Sequence, residues 1–377
     1  MPRALILSLS SHSEGDGANR LPPLRVWQQQ QALADAGWDV HHIEFMRFKA
    51  PPIGQFVKRA LLFRKTIRAM VASALKADRP DLIITHDIET LPAAVRVAKV
   101  FNVPLIYDSH ENWPALISNN SRLEACIAAL MERRMLRHID CVMTVSPSIA
   151  ARFRGLGKRT TVLYNARRAS EMATMPKSEA RKELGLDPDD IILGFIGNLH
   201  ELEKGNMIED LFDVLFKLPP NVKVLIVGGP DDLAEVFKWK AEDSGVEDRV
   251  ICTGRLPFKK LAPYYGALDV GLVLLRPIPG YIESIGWKFF DYIGRGIPVL
   301  VPDFPDLSWM VEKLGCGWTY HDGSRYLFGR LEDIVLLPAT ERARLGVNGL
   351  TAFASLYAWE KQAWKFVTLC EWLTRKR

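Results

Sequence analysis

The 377-residue sequence lacks several features that would assign it at once. No apolar run approaches the roughly 18 residues of a spanning helix, which excludes a polytopic membrane protein. The five cysteines, Cys126, Cys141, Cys252, Cys316 and Cys370, are odd in number and far apart. They support neither a disulfide framework nor a zinc motif, and reduced thiols fit a cytoplasmic protein. No G-x-G-x-x-G follows the first strand-like run, and no G-x-x-x-x-G-K-[ST] occurs. These absences argue against a dinucleotide dehydrogenase and a P-loop NTPase. H-E-x-x-H and G-x-S-x-G are missing too, so metal-dependent and serine hydrolysis have no support. The opening, MPRALILSLSSHSEGDG, has too short an apolar stretch for a signal peptide and no small-residue cleavage site.

What is present is an ordinary globular composition, 48% hydrophobic and 25% charged, in a chain long enough for two domains. Charge is uneven. Residues 1–160 hold 22 Lys/Arg against 14 Asp/Glu, while the rest is slightly acidic with 27 against 30. A basic first half suits an anionic partner: nucleic acid, a membrane surface or a phosphorylated substrate. A basic surface that is merely solvated has the same composition. No basic motif interleaved with aromatics favours nucleic acid.

Strand-like runs alternate with helical stretches. In the first half they are ALILSLS (4–10), WDVHHIEF (38–45), DLIITHD (81–87), VPLIYDSH (103–110), CVMTVS (141–146) and TTVLYN (160–165). A polar connection, 167–190, follows. Its Asp187-Pro188-Asp189-Asp190 cluster reads as a turn before a strand rather than a metal site. The pattern restarts with IILGFIGN (191–198), VKVLIVGG (222–229), RVICTG (249–254), VGLVLL (270–275), PVLVPD (298–303) and GWTYHD (317–322). Apolar strands separated by amphipathic helices imply parallel sheets covered on both faces. The expected architecture is α/β, with two Rossmann-like doubly wound domains, 1–168 and 169–355, facing across a cleft. A C-terminal helical segment, 356–377, either packs back on the first domain or stays on the second.

Two segments carry chemistry. The first runs from Glu283 through Ser284, Ile285, Gly286 and Trp287 to Asp291 and on to Val299. A helix beginning near Gly286 puts Glu283 before its N-terminus and Asp291 in its second turn. Such a start accepts an anion, and the flanking carboxylates can take sugar and ribose hydroxyls. Two solvated acids on a surface helix have the same spacing. The second segment, Gly197-Asn198 to Lys204-Gly205, follows the strand IILGFI. It brings a lysine and backbone donors to a strand-to-helix loop, a general phosphate site. A solvated loop lysine is the alternative.

Together these segments resemble the family-4 glycosyltransferases of the GT-B fold. The paired-carboxylate motif resembles Glu283 to Asp291 with the turn that follows at Gly294–Val299, and the phosphate lysine resembles Lys204. Runs 80–94 (PDLIITHDIETLPAA), 105–114 (LIYDSHENWP), 140–150 (DCVMTVSPSIA), 162–166 (VLYNA) and 356–362 (LYAWEKQ) are similar to that family's. The sequence departs from the pattern in having Asp291 for Glu, Asn198 for Arg, and Gly15 and Gly17 instead of an adjacent glycine pair. Arg276 is the expected substitute for the missing arginine. The resemblance implies sugar transfer from a nucleotide-diphosphate sugar to a glycan or lipid-linked acceptor, with retention and without metal or cofactor. It further implies that Lys204 and the helix start near Gly286 stabilise the leaving diphosphate, that Glu283 holds the sugar and Asp291 the ribose, and that His110 stands near the reacting carbon. Gly254, Arg255 and Leu256 would flank the base. Asp108 and Glu111 are expected to cap the next turn. A nucleotide-sugar epimerase and a catalytically silent scaffold of this fold are the alternatives.

Residues 56–70 form the last candidate. Phe56, Ala60, Phe63, Ile67 and Met70 share one helical face, and Lys58, Arg64, Lys65 and Arg68 lie off it. Leu61 and Leu62 fall among the basic residues. Such a helix suits the anionic inner face of a membrane, or is a helix whose basic side is merely solvated.

Overall fold

The computed structural model describes residues 1–9, 24–45, 56–197, 207–229 and 231–375. They form two compact units: Met1–Tyr164 with Lys361–Arg377, and Asn165–Glu360.

The first unit holds a six-stranded parallel sheet of β1 (Arg3–Leu9), β2 (Asp39–Phe45), β3 (Leu82–His86), β4 (Leu105–Ser109), β5 (Cys141–Thr144) and β6 (Thr160–Val162). The strand order is β2-β1-β3-β4-β5-β6. Every residue of β3, β4 and β5 is buried, as continuous apolar runs demand when helices cover both sheet faces. Edge strand β2 is mostly half-buried or exposed, matching its polar DVHHIEF. The helices are α1 (Leu24–Asp35), α2 (Phe56–Ala74), α3 (Asp87–Phe101), α4 (Trp113–Ser118), α5 (Arg122–Leu136) and α6 (Pro147–Gly155). Side chains of Asn112, Ser121 and Ser146 accept backbone N–H bonds at the starts of α4, α5 and α6. Asn112 therefore caps α4, the task expected of Asp108 or Glu111. On α2, Ile67 and Met70 are buried and Phe63 packs beside them. Ala60, expected on that face, is exposed, because the buried arc is centred on Phe63, Thr66, Ile67 and Met70.

The second unit begins with α7 (Lys177–Glu183) and repeats the plan with β7 (Ile191–Ile196), α8 (Ile208–Leu215), β8 (Val222–Val227), α9 (Asp231–Asp243), β9 (Val250–Cys252), α10 (Ala262–Ala267), β10 (Val270–Leu272), α11 (Trp287–Ile293), β11 (Val299–Pro302), α12 (Pro305–Leu314) and β12 (Gly317–Tyr320). Its parallel order, β12-β11-β10-β7-β8-β9, reverses between β7 and β10. The carboxyl ends around such a reversal are where doubly wound sheets bind ligands. The Asp187–Asp190 cluster is a turn: Asp187 N donates to Asp190 Oδ2 at 3.0 Å, and Asp189 N to Asp187 Oδ1 at 2.9 Å. Helices α13 (Ser324–Leu336) and α14 (Ala339–Ala352) follow, then a π-turn and α15 (Trp359–Arg375). From Lys361 onward α15 belongs to the first unit. There, fully buried Gln362 accepts the Tyr164 N–H at 3.3 Å, and the Arg159 guanidinium lies 4.2 Å from the centre of the Trp372 ring.

Candidate active site

In the first unit, the carboxyl ends of β3 and β4 assemble a charged network. Asp108, at the end of β4, is fully buried. Arg25 of α1 grips it with Nε and Nη2, both at 2.8 Å, and Gln29 adds a bond at 2.6 Å. Burial alone would push this carboxyl up. Arg25 and His110 outweigh it and hold the group well below its ordinary range. His86, the last residue of β3, places Nδ1 3.1 Å from His110 Nε2. Burial pulls His86 down to about 3, so it is neutral at ordinary pH. Burial opposes charge on His110 as well, but Asp87 and Asp108 together raise it. The shared proton therefore sits on His110, and His86 Nδ1 accepts it.

Asp87 ties the two strand ends together. Its Oδ1 accepts from His110 N at 3.3 Å and from Trp113 Nε1 at 3.1 Å, while Oδ2 lies 3.4 Å from His110 Nδ1. Its backbone is left-handed, φ +65°. A non-glycine residue in that region costs of order 1 kcal/mol or more, and such strain gathers at functional sites. His86, Asp108 and His110 have the donor types of a metal trio, with ligand atoms within 4.8 Å of one another. They do not fit one as arranged: the Arg25 guanidinium occupies both Asp108 oxygens, and the histidines spend facing nitrogens on each other. His110 is thus half-buried, with both ring nitrogens engaged by protein groups. Arg25, Gln29, His86 and Asp87 were not singled out from the sequence. The signal for two of them was there: His86-Asp87 ends an apolar strand, as His110 does.

In the second unit, α11 begins at Trp287 with Gly286 as its N-cap. Tyr292 locks this helix to the sheet: its hydroxyl accepts from Ile196 N at 2.8 Å and donates to Gly194 O at 3.0 Å. Gly271 of β10 permits that approach, since a Cβ there would lie 2.4 Å from the Tyr292 ring. Glu283 and Ser284 are half-buried before the helix, and Ile285 is fully buried. Gly254, with φ +67°, accepts the Gly228 N–H at 2.8 Å; Arg255 is exposed and Leu256 half-buried. Asp291 is buried, and its Oδ1 accepts from Arg167 Nε at 2.9 Å and Arg295 Nη1 at 3.3 Å. Arg167 also stacks on Phe258, 4.2 Å from the ring centre. The ribose contact expected of Asp291 would thus compete with two guanidinium bonds.

Arg276, expected to replace the missing arginine, is matched by acids: Asp210 at 2.5 Å and Asp322 at 3.8 Å. It stands beside a cleft of about 170 Å³ lined by Leu275, Ile282, Asp303, His321 and Asp322. A different cation stands at the end of β7. Lys288, in the first turn of α11, holds its ammonium 4.7 Å from the Phe195 ring centre, and its side chain lies against Gly197. Desolvation pulls it down to about 8. The sequence did not single it out because the aromatic stretch around it reads as core. Gly15, Gly17, Asn198 and Lys204 lie outside the described residues.

Comparison with solved proteins defines the class first. Sucrose-phosphate synthase from Thermosynechococcus elongatus has a similar structure with a TM-score of 0.80 at 21% identity, each chain covered completely. Anabaena HepE, solved in complex with UDP, has a TM-score of 0.73 at 18% identity over 98% of this chain and all of that one. The fold is GT-B, a two-domain α/β fold. Two family models then match, one on each unit: a glycosyl transferase 4-like domain over 22–166, and glycosyl transferases group 1 over 190–327. The chain belongs to the GT4-type glycosyltransferases. A D-inositol 3-phosphate glycosyltransferase of Nocardia farcinica is 32% identical over 37% of this chain and 32% of its own length. One from Thermobifida fusca is 24% identical over 82% of this chain and 75% of its own length. Matches to the first curated relatives span less than half of those proteins, 41% and 32% of their lengths.

Proposed function

We propose that this protein transfers a sugar from a nucleoside-diphosphate sugar to a glycan or lipid-linked acceptor, with retention and without a metal. The observation that carries the reading is the match of both units, in order, to glycosyltransferase family models. The donor is assigned to the second unit. Glu283 holds the sugar, Lys204 and Lys288 supply charge for the leaving diphosphate, and the backbone at Gly254–Leu256 flanks the base. Asp291 orients α11 and Arg167. Charge developing on a leaving diphosphate is best met by groups already in place. In the first unit, His110 is assigned to the sugar being transferred, with Asp87 and His86 fixing its ring. UDP and UDP-glucose, bound by similarly folded proteins, are the first donors to try.

The test is a donor panel with mass-spectrometric detection of product and NMR of the new anomeric centre. Transfer with retained configuration, unaffected by chelator, supports the reading. An inverted product, or full loss with chelator and rescue by a divalent ion, would refute those parts of it. The engagement of Asp291 by two arginines favours one rival, a scaffold that binds nucleotide without turnover; tight nucleotide binding with no product from any donor would establish that rival.

A further inference from the structure

A surface of the first unit has no place in the transfer chemistry. Helix α5 turns Ala125, Ala128, Glu132 and Leu136 inward. On the opposite side stand Leu123, Ile127 and Leu130, with 66%, 43% and 69% of their surface exposed. Spacings of four and three residues align them in one stripe. Three large aliphatic side chains in line on the solvent side are the opposite of what an amphipathic helix normally presents there. The stripe runs into exposed Arg133, Arg134 and Arg137.

Helix α2 is tied to α5 by one ion pair, Arg59 to Glu124 at 3.1 Å. It adds Leu61, 61% exposed, among exposed Lys58, Arg64, Lys65 and Arg68. No acid offsets this charge on either helix. Helix α2 has none, Glu124 is spent on Arg59, and Glu132 is fully buried against Tyr107 and Arg152.

We propose that the α5 stripe, continued by Arg133, Arg134 and Arg137 and aided by the basic residues of α2, seats the protein on an anionic bilayer, with Leu123, Ile127 and Leu130 inserted among the headgroups. Charge complementarity selects this occupant. Pairing of two copies through the same face would set arginine rows against each other, which is unfavourable. Apolar side chains at headgroup depth, flanked by Lys and Arg, give reversible interfacial binding. No described helix is long and apolar enough to cross a membrane, so the attachment is peripheral. The proposal deepens the lipid-linked-acceptor reading. Its assay needs no turnover, so the two fail separately.

Flotation with phosphatidylcholine vesicles containing about one-third phosphatidylglycerol tests it. The wild type floats with these and not with pure phosphatidylcholine. The variant Leu123→Gln, Ile127→Gln, Leu130→Gln changes exposed positions only, and keeps its melting temperature and nucleotide binding. It should bind at least about tenfold less. Charge reversal of Arg133, Arg134 and Arg137 to Glu should leave the protein at the bottom. Cys126, exposed beside the stripe, reports depth once Cys252 is replaced by Ser, since Cys141, Cys316 and Cys370 are buried. An environment-sensitive label on Cys126 should shift to the blue on anionic vesicles. Any of four results overturns the proposal: no flotation of the wild type, flotation of the glutamine variant equal to wild type, no spectral shift, or a dimer in light scattering that the glutamine variant converts to monomer.

Discussion

Replacing Asp87 by Asn isolates the charge that holds His110. Asn is among the few residues that tolerate a left-handed backbone, so the φ of +65° is retained at little extra cost. Its amide oxygen still accepts from Trp113 Nε1 and His110 N. What disappears is the carboxylate charge facing His110 Nδ1 at 3.4 Å. Coulomb's law gives that pair about 1 kcal/mol in bulk water and about 5 kcal/mol at an effective dielectric near 20. The two side chains are 22% and 19% exposed, so solvent screens part of the interaction and about 2 kcal/mol is the working figure. His110 is raised above its ordinary 6.5 in the folded state, burial opposing and Asp87 and Asp108 prevailing. A raised histidine contributes stability that is fully present below 6.5 and is lost as pH rises through its folded value. The Asn variant should therefore melt about 4–8 °C below wild type near pH 5.5, with the two curves converging as pH rises through the raised value of His110. Differential scanning calorimetry across that range measures the gap, and NMR titration of the imidazole should show His110 losing its proton at lower pH in the variant. A gap that stays constant as pH rises through the raised value of His110 would mean that Asp87 acts only through its hydrogen bonds, and the charge argument would fail.

Three further outcomes are expected. Arg25→Met should destabilise by about 3–5 kcal/mol in urea unfolding, because it strands the fully buried Asp108 carboxylate; a loss under about 1 kcal/mol would contradict the ion-pair account. Glu283→Ala and Lys204→Ala should each lower transfer about 100-fold with little change in melting temperature, whereas near-normal rates in both would remove them from the donor site. Lys288→Met should weaken nucleoside-diphosphate binding about tenfold in calorimetry, and wild-type binding should fall as pH rises through about 8, where the ammonium is lost; equal affinity for wild type and variant at pH 7 would exclude that lysine.

The twelve strand-like runs visible in the sequence all became strands, because apolar β-branched segments of four to eight residues bounded by turn residues have few other ways to bury themselves. The repeat of that pattern after 167–190 was enough to expect two doubly wound sheets, and Gly286 could be read as a helix start from its neighbours alone. Local chemistry of this kind is written in adjacent residues. Partnerships across distance are not. Arg25 and Asp108 are 83 positions apart, His86 and His110 are 24, and Arg167 and Asp291 are 124. Nothing in the spacing of any one residue announces its partner, because strand order and helix packing decide which chain segments meet. Arg276 shows the same limit: its position at a strand end suggested a donor-binding cation, and only the fold brought Asp210 and Asp322 to it. The α5 stripe is the plainest case. Helical spacing aligns Leu123, Ile127 and Leu130 on one face, which by itself would mark a buried side. Burial of Ala125, Ala128 and Leu136 on the opposite face, fixed by how α5 packs in the first unit, left the larger side chains in solvent.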